Sequence, residues 1–192
     1  AATATTGGIT DSSNLSASGD VTLNDVATAG ITLDTLEADA NVIITAAGNT
    51  AITNDAALAL QGTVTGTLAA TATTGDITDS DALAVSGASV FTLGADGTNI
   101  TLDSAANAFS GAVTLKAGSS GGQTFGNIVF VDSGAIDFDS AASADGDLFL
   151  DGGTDNTVGG TLAVTATTGG ITDSGTIAVT GDLTLNDVAT AG

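Results

Sequence analysis

Short apolar triplets recur at close intervals along the chain, most of them split by Thr or Ala. They run Val21-Thr22-Leu23, Ile31-Thr32-Leu33, Val42-Ile43-Ile44, Leu58-Ala59-Leu60, Leu83-Ala84-Val85, Ile100-Thr101-Leu102, Val113-Thr114-Leu115, Ile128-Val129-Phe130, Leu148-Phe149-Leu150 and Leu183-Thr184-Leu185. Alternation of apolar with small or polar residues is the period of a strand with one buried face. Gly, Asn, Asp and Ser fill the gaps and supply the turn and left-handed conformations that tight corners need. Strands this short cannot bury a face alone, so they must coil and stack. The pattern predicts an all-β fold with almost no helix.

The chain also repeats itself. Residues 1–30 align without gaps onto residues 163–192 with 22 of 30 positions identical. A third copy of the core phrase begins at Thr71 and runs through residues 71–93, so Gly7, Gly75 and Gly169 are equivalent, at offsets of 68 and 94 that sum to 162. A coil of about 20 to 25 residues, with three short strands and their corners, would make these offsets roughly three, four and seven coils. The expectation is one continuous β-solenoid over residues 1–192, a parallel β-helix of about eight short coils rising about 4.8 Å each, hence a rod segment about 40 Å long within a longer array. Leu, Val, Ile and Ala should fill the interior, with Ala70, Ala72 and Ala84 allowing narrow coils. Phe91, Phe109, Phe125, Phe130, Phe138 and Phe149 should mark wider layers in the middle. An immunoglobulin-type sandwich is the competing architecture, but its strands are longer and its core carries Trp or Tyr, which this chain lacks.

Composition removes most chemistry. There is no Cys, His, Met, Trp, Tyr or Pro, so disulfides, thiolates and imidazoles are unavailable. Lys116 is the single basic residue against 22 acids, a formal net charge of −21. Nucleic acid is thereby excluded as a partner, since binding its backbone needs Lys and Arg, and an anionic membrane surface is excluded for the same reason. No apolar run is long enough to span a bilayer. With 42% hydrophobic residues the chain is not of disordered composition either.

The phrases GTLAVTATTGGITDSGTIAVTGDLTL (160–185) and NITLDSAANAFSGAVTL (99–115) resemble the repeats of very large secreted bacterial proteins of the filamentous-haemagglutinin type. The resemblance covers essentially the whole chain. It implies a right-handed parallel β-helix, a rod that displays or extends an adhesive tip, and a location outside the cell or on the bacterial surface. In that family an amino-terminal secretion domain and a partner outer-membrane pore carry out export, and these residues hold only the repeat.

Among candidate sites, the densest acidic cluster is Asp137, Asp139, Asp145, Asp147, Asp151 and Asp155. Asp supplies the hard oxygen ligands that Ca²⁺ takes, and solvated corners are the alternative reading. Gly152-Gly153-Thr154-Asp155 is only a fragment of the nonapeptide of Ca²⁺-binding rolls, and EF-hand spacing is absent. Paired carboxylates such as Asp137 and Asp139 suggest glycoside chemistry, but the Trp, Tyr, Arg and His that hold sugars are missing, so no enzyme is expected. Gly118-Ser119-Ser120-Gly121-Gly122 lacks the Lys-Ser/Thr of a phosphate loop. Asn14-Leu15-Ser16 and Asn99-Ile100-Thr101 fit the glycosylation pattern, which arises by chance in such a chain. The phrases at Thr3, Thr71 and Thr165 raise ice binding, which needs a threonine pair on every coil.

The resulting expectation is a structural rod segment of a fibre, adhesin stalk or matrix filament. Its partners would be neighbouring copies stacked end to end, or surface receptors or polysaccharide. If Asp11, Asp79 and Asp173 share a face, their repulsion calls for divalent cations between coils.

Overall fold

The computed structural model describes residues 1–118, 124–139, 146–151 and 157–188. These form a β-solenoid in which the chain passes alternately through two ten-stranded parallel sheets. The first sheet stacks Ala2–Ala4, Val21–Asp25, Asn41–Ala46, Leu58–Val64, Ile77–Val85, Ile100–Leu102, Ile128–Asp132, Leu162–Ala166 and Leu183–Asp187, with Ala108–Phe109 also on Ile77–Val85. The second stacks Ile9–Thr10, Ile31–Ala38, Thr50–Asn54, Leu68–Ala72, Ser89–Leu93, Val113–Ala117, Asp147–Asp151, Ile136–Phe138 and Ile171–Asp173, with Leu15–Ala17 also on Ile31–Ala38. All ten apolar triplets lie in strands, and no helix occurs among the described residues.

Register sets the coil lengths. Ala2 lies beside Leu23, Val21 beside Val42, Val42 beside Leu60, Leu58 beside Ile77, Ile77 beside Ile100, Ile100 beside Ile128, Ile128 beside Leu162 and Leu162 beside Leu183. Successive coils therefore take 21, 21, 18, 19, 23, 28, 34 and 21 residues. This gives eight coils, as the sequence predicts, but the expected three strands per coil become two principal sheets. A third, minor face appears only late, where Thr157–Val158 pairs Ala178–Val179 and Phe125 bridges Val158.

The repeat phase differs from the expectation. Thr3 and Thr165 both lie in the first sheet, seven strands apart, whereas Thr71 lies in the second. The offsets of 68 and 94 thus each span three and a half coils, because the extra residues of the second interval sit in the long coils after Ile100. The same phrase is accommodated on either sheet. One consequence is that Asp79 lies on the opposite sheet from Asp11, and Asp173 stands eight strands from Asp11 in the second sheet, so these acids form no stack.

Inward positions alternate along each strand: Leu23, Ile44, Leu60, Ile77, Ile100, Ile128 and Leu162 are each about 1% exposed or less. Five phenylalanines are buried as expected, and Phe91 meets Phe109 edge-on at 5.8 Å while Phe109 stacks on Phe130 at 5.4 Å. That cluster spans the coils where the chain lengthens, since large rings need a wider cross-section. Phe149 does not join it. It is half-buried beside Thr114 on the outer face, because its strand turns Leu148 and Leu150 inward. Ala70 and Ala72 are buried, but Ala84 lies outward between Leu83 and Val85.

Two glycines show how tightly coils approach. Gly62 sits inside a strand at φ +117°, and a Cβ there would stand 2.0 Å from the Ile44 carbonyl oxygen. At one corner a Cβ on Gly87 would meet the Gly66 carbonyl oxygen at 2.7 Å, so only glycine allows the backbones to stack there.

Candidate functional site: carboxylate clasps between coils

The acids do their most specific work at coil ends. Asp11 follows Ile9-Thr10, and its carboxylate accepts the N–H groups of Asp34 (3.1 Å) and Thr35 (3.0 Å) and the Thr35 hydroxyl (2.9 Å), all from the next coil. Asp79, in the equivalent phrase Ile77-Thr78-Asp79, accepts the N–H groups of Asp103 (3.0 Å) and Ser104 (2.9 Å) and the Asn107 amide (2.6 Å). Ile9 pairs with Ile31 and Ile77 with Ile100, so both carboxylates reach the same two positions just past the neighbouring strand segment. Charge-assisted bonds of this kind are the strong ones. Their effect is to close the bend where the next coil leaves the sheet.

Other corners use the same device. Asp76 accepts the Asn99 N–H (2.8 Å), Asn99 accepts that of Asn127 (2.7 Å), and Asn127 accepts that of Thr161 (2.9 Å), a ladder through four coils. Asn99 of the glycosylation-like triplet is therefore engaged between coils, and Asn14 of the other donates to Glu37. Asp96 accepts the N–H (2.8 Å) and hydroxyl (3.1 Å) of Thr124, which hold its carboxyl below the ordinary range. For Asp11, burial pushes upward but the bonds from Thr35 and Asp34 outweigh it, and the carboxyl again lies low. Asp132 is the opposite case: burial raises it, although it accepts the Phe109 N–H at 2.9 Å.

Two fully buried amides plug the bends of the long strands. Asn54 accepts the Ala38 N–H (2.8 Å) and donates to the Ala38 (3.1 Å) and Ala57 (2.6 Å) carbonyls, beside the register shift of Leu33/Leu36. Asn107 accepts the Leu83 N–H (2.9 Å) beside the shift of Asp79/Leu83. Sequence reasoning missed both. The available signal was an Asn at an inward, strand-end position where the alternation demands an apolar residue.

The predicted metal cluster is only partly assembled. Asp137 and Asp147 are Cα partners on neighbouring strands, and Asp137 Oδ1 is buried without a hydrogen-bond partner. Asp139 follows the same strand, its N–H directed at the Leu148 carbonyl (3.4 Å). Asp151 is ion-paired with Lys116. Asp145 and Asp155 lie outside the described residues, as does Gly152-Gly153-Thr154-Asp155, and of the Gly118–Gly122 run only Gly118 is described. No group of three or more acids placed to hold a metal ion occurs among the described residues. On the outer face, register brings Thr53, Thr71 and Thr92 into one column over successive coils, which spacing along the chain does not show.

No curated protein and no solved structure matches the chain. A family of repeats matches residues 47–116 and 125–191. Each matched stretch contains one copy of the phrase, at Thr71 and at Thr165. Together they cover more than half of the sequence, and the chain accordingly belongs to the family described as Repeats of unknown function (DUF5649).

Proposed function

We propose that the chain is a structural, non-catalytic rod segment of a secreted or surface-anchored bacterial fibre, an adhesin stalk or matrix filament of the filamentous-haemagglutinin kind. The observation that carries this reading is phase. The near-identical stretches 1–30 and 163–192 are separated by 162 residues and by seven strands of the first sheet, eight of the second, where Asp147–Asp151 adds one. A unit that adds a whole number of coils can be repeated without a phase defect, so fibre length becomes a matter of copy number. A net charge of −21 keeps such rods apart side by side. The test is imaging of the full-length protein by electron microscopy with one 162-residue unit excised. Shortening by about 34 Å, seven rises of about 4.8 Å, with adhesion retained, supports the reading. An unchanged particle length refutes it.

A further inference from the structure

Asp137 and Asp147 stand on the lateral face of the second sheet, on strands that have Val113–Ala117 stacked on one side and Ile171–Asp173 on the other. They are Cα partners on neighbouring strands, whose spacing is about 4.8 Å. Ile136 and Phe138 turn inward, as do Leu148 and Leu150, so alternation points both acids away from the core. Acids in that position ordinarily meet water. These do not: Asp147 is 6% exposed, and Asp137 Oδ1 is buried with no hydrogen-bond partner. The contrast with the clasps is chemical, since Asp11 and Asp79 are each met by N–H groups and a side-chain donor of the following coil.

We propose that a Ca²⁺ ion bridges Asp137 and Asp147 and pins the two strands that carry them. A buried carboxylate oxygen needs a donor or a cation against it, and a second carboxylate alongside adds repulsion. The chain has no base to spare for the pair. Lys116, its only basic side chain, is held by Asp151 at 2.5 Å. The place is also one where the ladder is thin. Two register pairs join Ile136–Phe138 to Asp147–Asp151, against five between Ser89–Leu93 and Val113–Ala117. Asp147–Asp151 is, moreover, the strand that the second sheet adds between the copies of the repeat. A cation held by both carboxylates ties that added rung to its neighbour where backbone bonds are few. The donors are all oxygen, which selects a hard ion. Ca²⁺ takes about six to eight oxygens in flexible geometry, so the carboxylates supply some and water the rest, whereas Mg²⁺ gives up its water reluctantly.

The experiment is equilibrium dialysis of Ca²⁺ against the 192-residue protein in excess NaCl, which screens the diffuse attraction of a net charge of −21. Asp137→Asn and Asp147→Asn are compared with Asp81→Asn, which removes an equal charge from an exposed position on Ile77–Val85. The parent and Asp81→Asn should each show a single saturating site per chain, and both Asp137→Asn and Asp147→Asn should lose it. Ca²⁺ should raise the melting temperature only where that site is intact, and Mg²⁺ should do so less. A reading on the parent alone does not depend on how the variants fold: in amide NMR spectra Ca²⁺ should shift residues 136–138 and 147–149 ahead of the corners at Asp11 and Asp79. Absence of saturable binding in the parent, binding retained by Asp137→Asn, loss in Asp81→Asn equal to that in the other two, or shifts spread evenly over the corner acids overturns the site. Each of these leaves the rod reading as it stands, because that reading is tested by particle length.

Discussion

Lys116 and Asp151 stand 35 residues apart in sequence and side by side in space, Cα partners on neighbouring strands with an ion pair between them. It joins the only basic side chain of the protein to an acid one coil away. The pair is open to solvent, with side chains 40% and 30% exposed, and exposed pairs contribute about 0 to 1 kcal/mol. Lys116→Gln is expected to cost less than about 1 kcal/mol in urea unfolding. Raising NaCl should raise the melting temperature of both proteins, since screening the net charge of −21 outweighs weakening one pair. A melting temperature that falls with salt contradicts this.

Asn54→Leu should be among the most damaging substitutions. It leaves the Ala38 N–H and the Ala38 and Ala57 carbonyls without their side-chain partner in a fully buried bend, at about 1 to 3 kcal/mol for each group left unsatisfied. Chemical denaturation should show a loss of at least about 2 kcal/mol. A gain in stability would mean that the bend tolerates an apolar plug.

Phe109 and Phe149 should separate cleanly in the same assay. Phe109→Ala empties the centre of the ring stack between Phe91 and Phe130 and should cost about 3 to 5 kcal/mol. Phe149→Ala removes a half-buried outer ring and should cost far less. Equal losses would place Phe149 in the core.

Gly62→Ala combines a strained φ with a Cβ contact of 2.0 Å on backbone, and the expected loss exceeds about 1 kcal/mol. Gly7→Ala has open space around the new methyl group and should be near neutral or slightly stabilising. Thermal unfolding of the two variants side by side decides the point.

The carboxylates predict opposite pH dependences. Asp11 and Asp96 lie below the ordinary Asp value when folded, so their contribution is present above that value and is lost as pH falls through the folded pKa. Asp132 is raised, so its contribution is present below the ordinary value and is lost as pH rises through the folded pKa. Relative to the parent, Asp132→Asn should therefore gain stability, and Asp11→Asn lose it, between about pH 3 and pH 6. Denaturant midpoints measured across that range give the slopes, and slopes of the same sign would refute the assignment.

How much of this was legible beforehand depends on the range of the interaction. Alternation in triplets such as Val21-Thr22-Leu23 announces a strand because side-chain direction has a period of two, and all ten triplets became strands. The copies at 1–30 and 163–192 announced a stacked fold of eight coils because neither can bury its face alone. What spacing along the chain does not contain is the phase. Coils of 18 and of 34 residues continue the same first sheet, so the half-coil shift that sends Asp79 to the opposite sheet from Asp11 is set only when strands pair. The same holds for Phe149, whose direction depends on which neighbours in its strand face the core, and for Asn54 and Asn107, which look like turn residues until a bend in the adjacent coil surrounds them. Local pattern determined that this protein is built of short parallel strands. Tertiary register decided which acids clasp a neighbouring coil, as Asp11 and Asp79 do, because a hydrogen bond between coils requires the two coils to be brought together first.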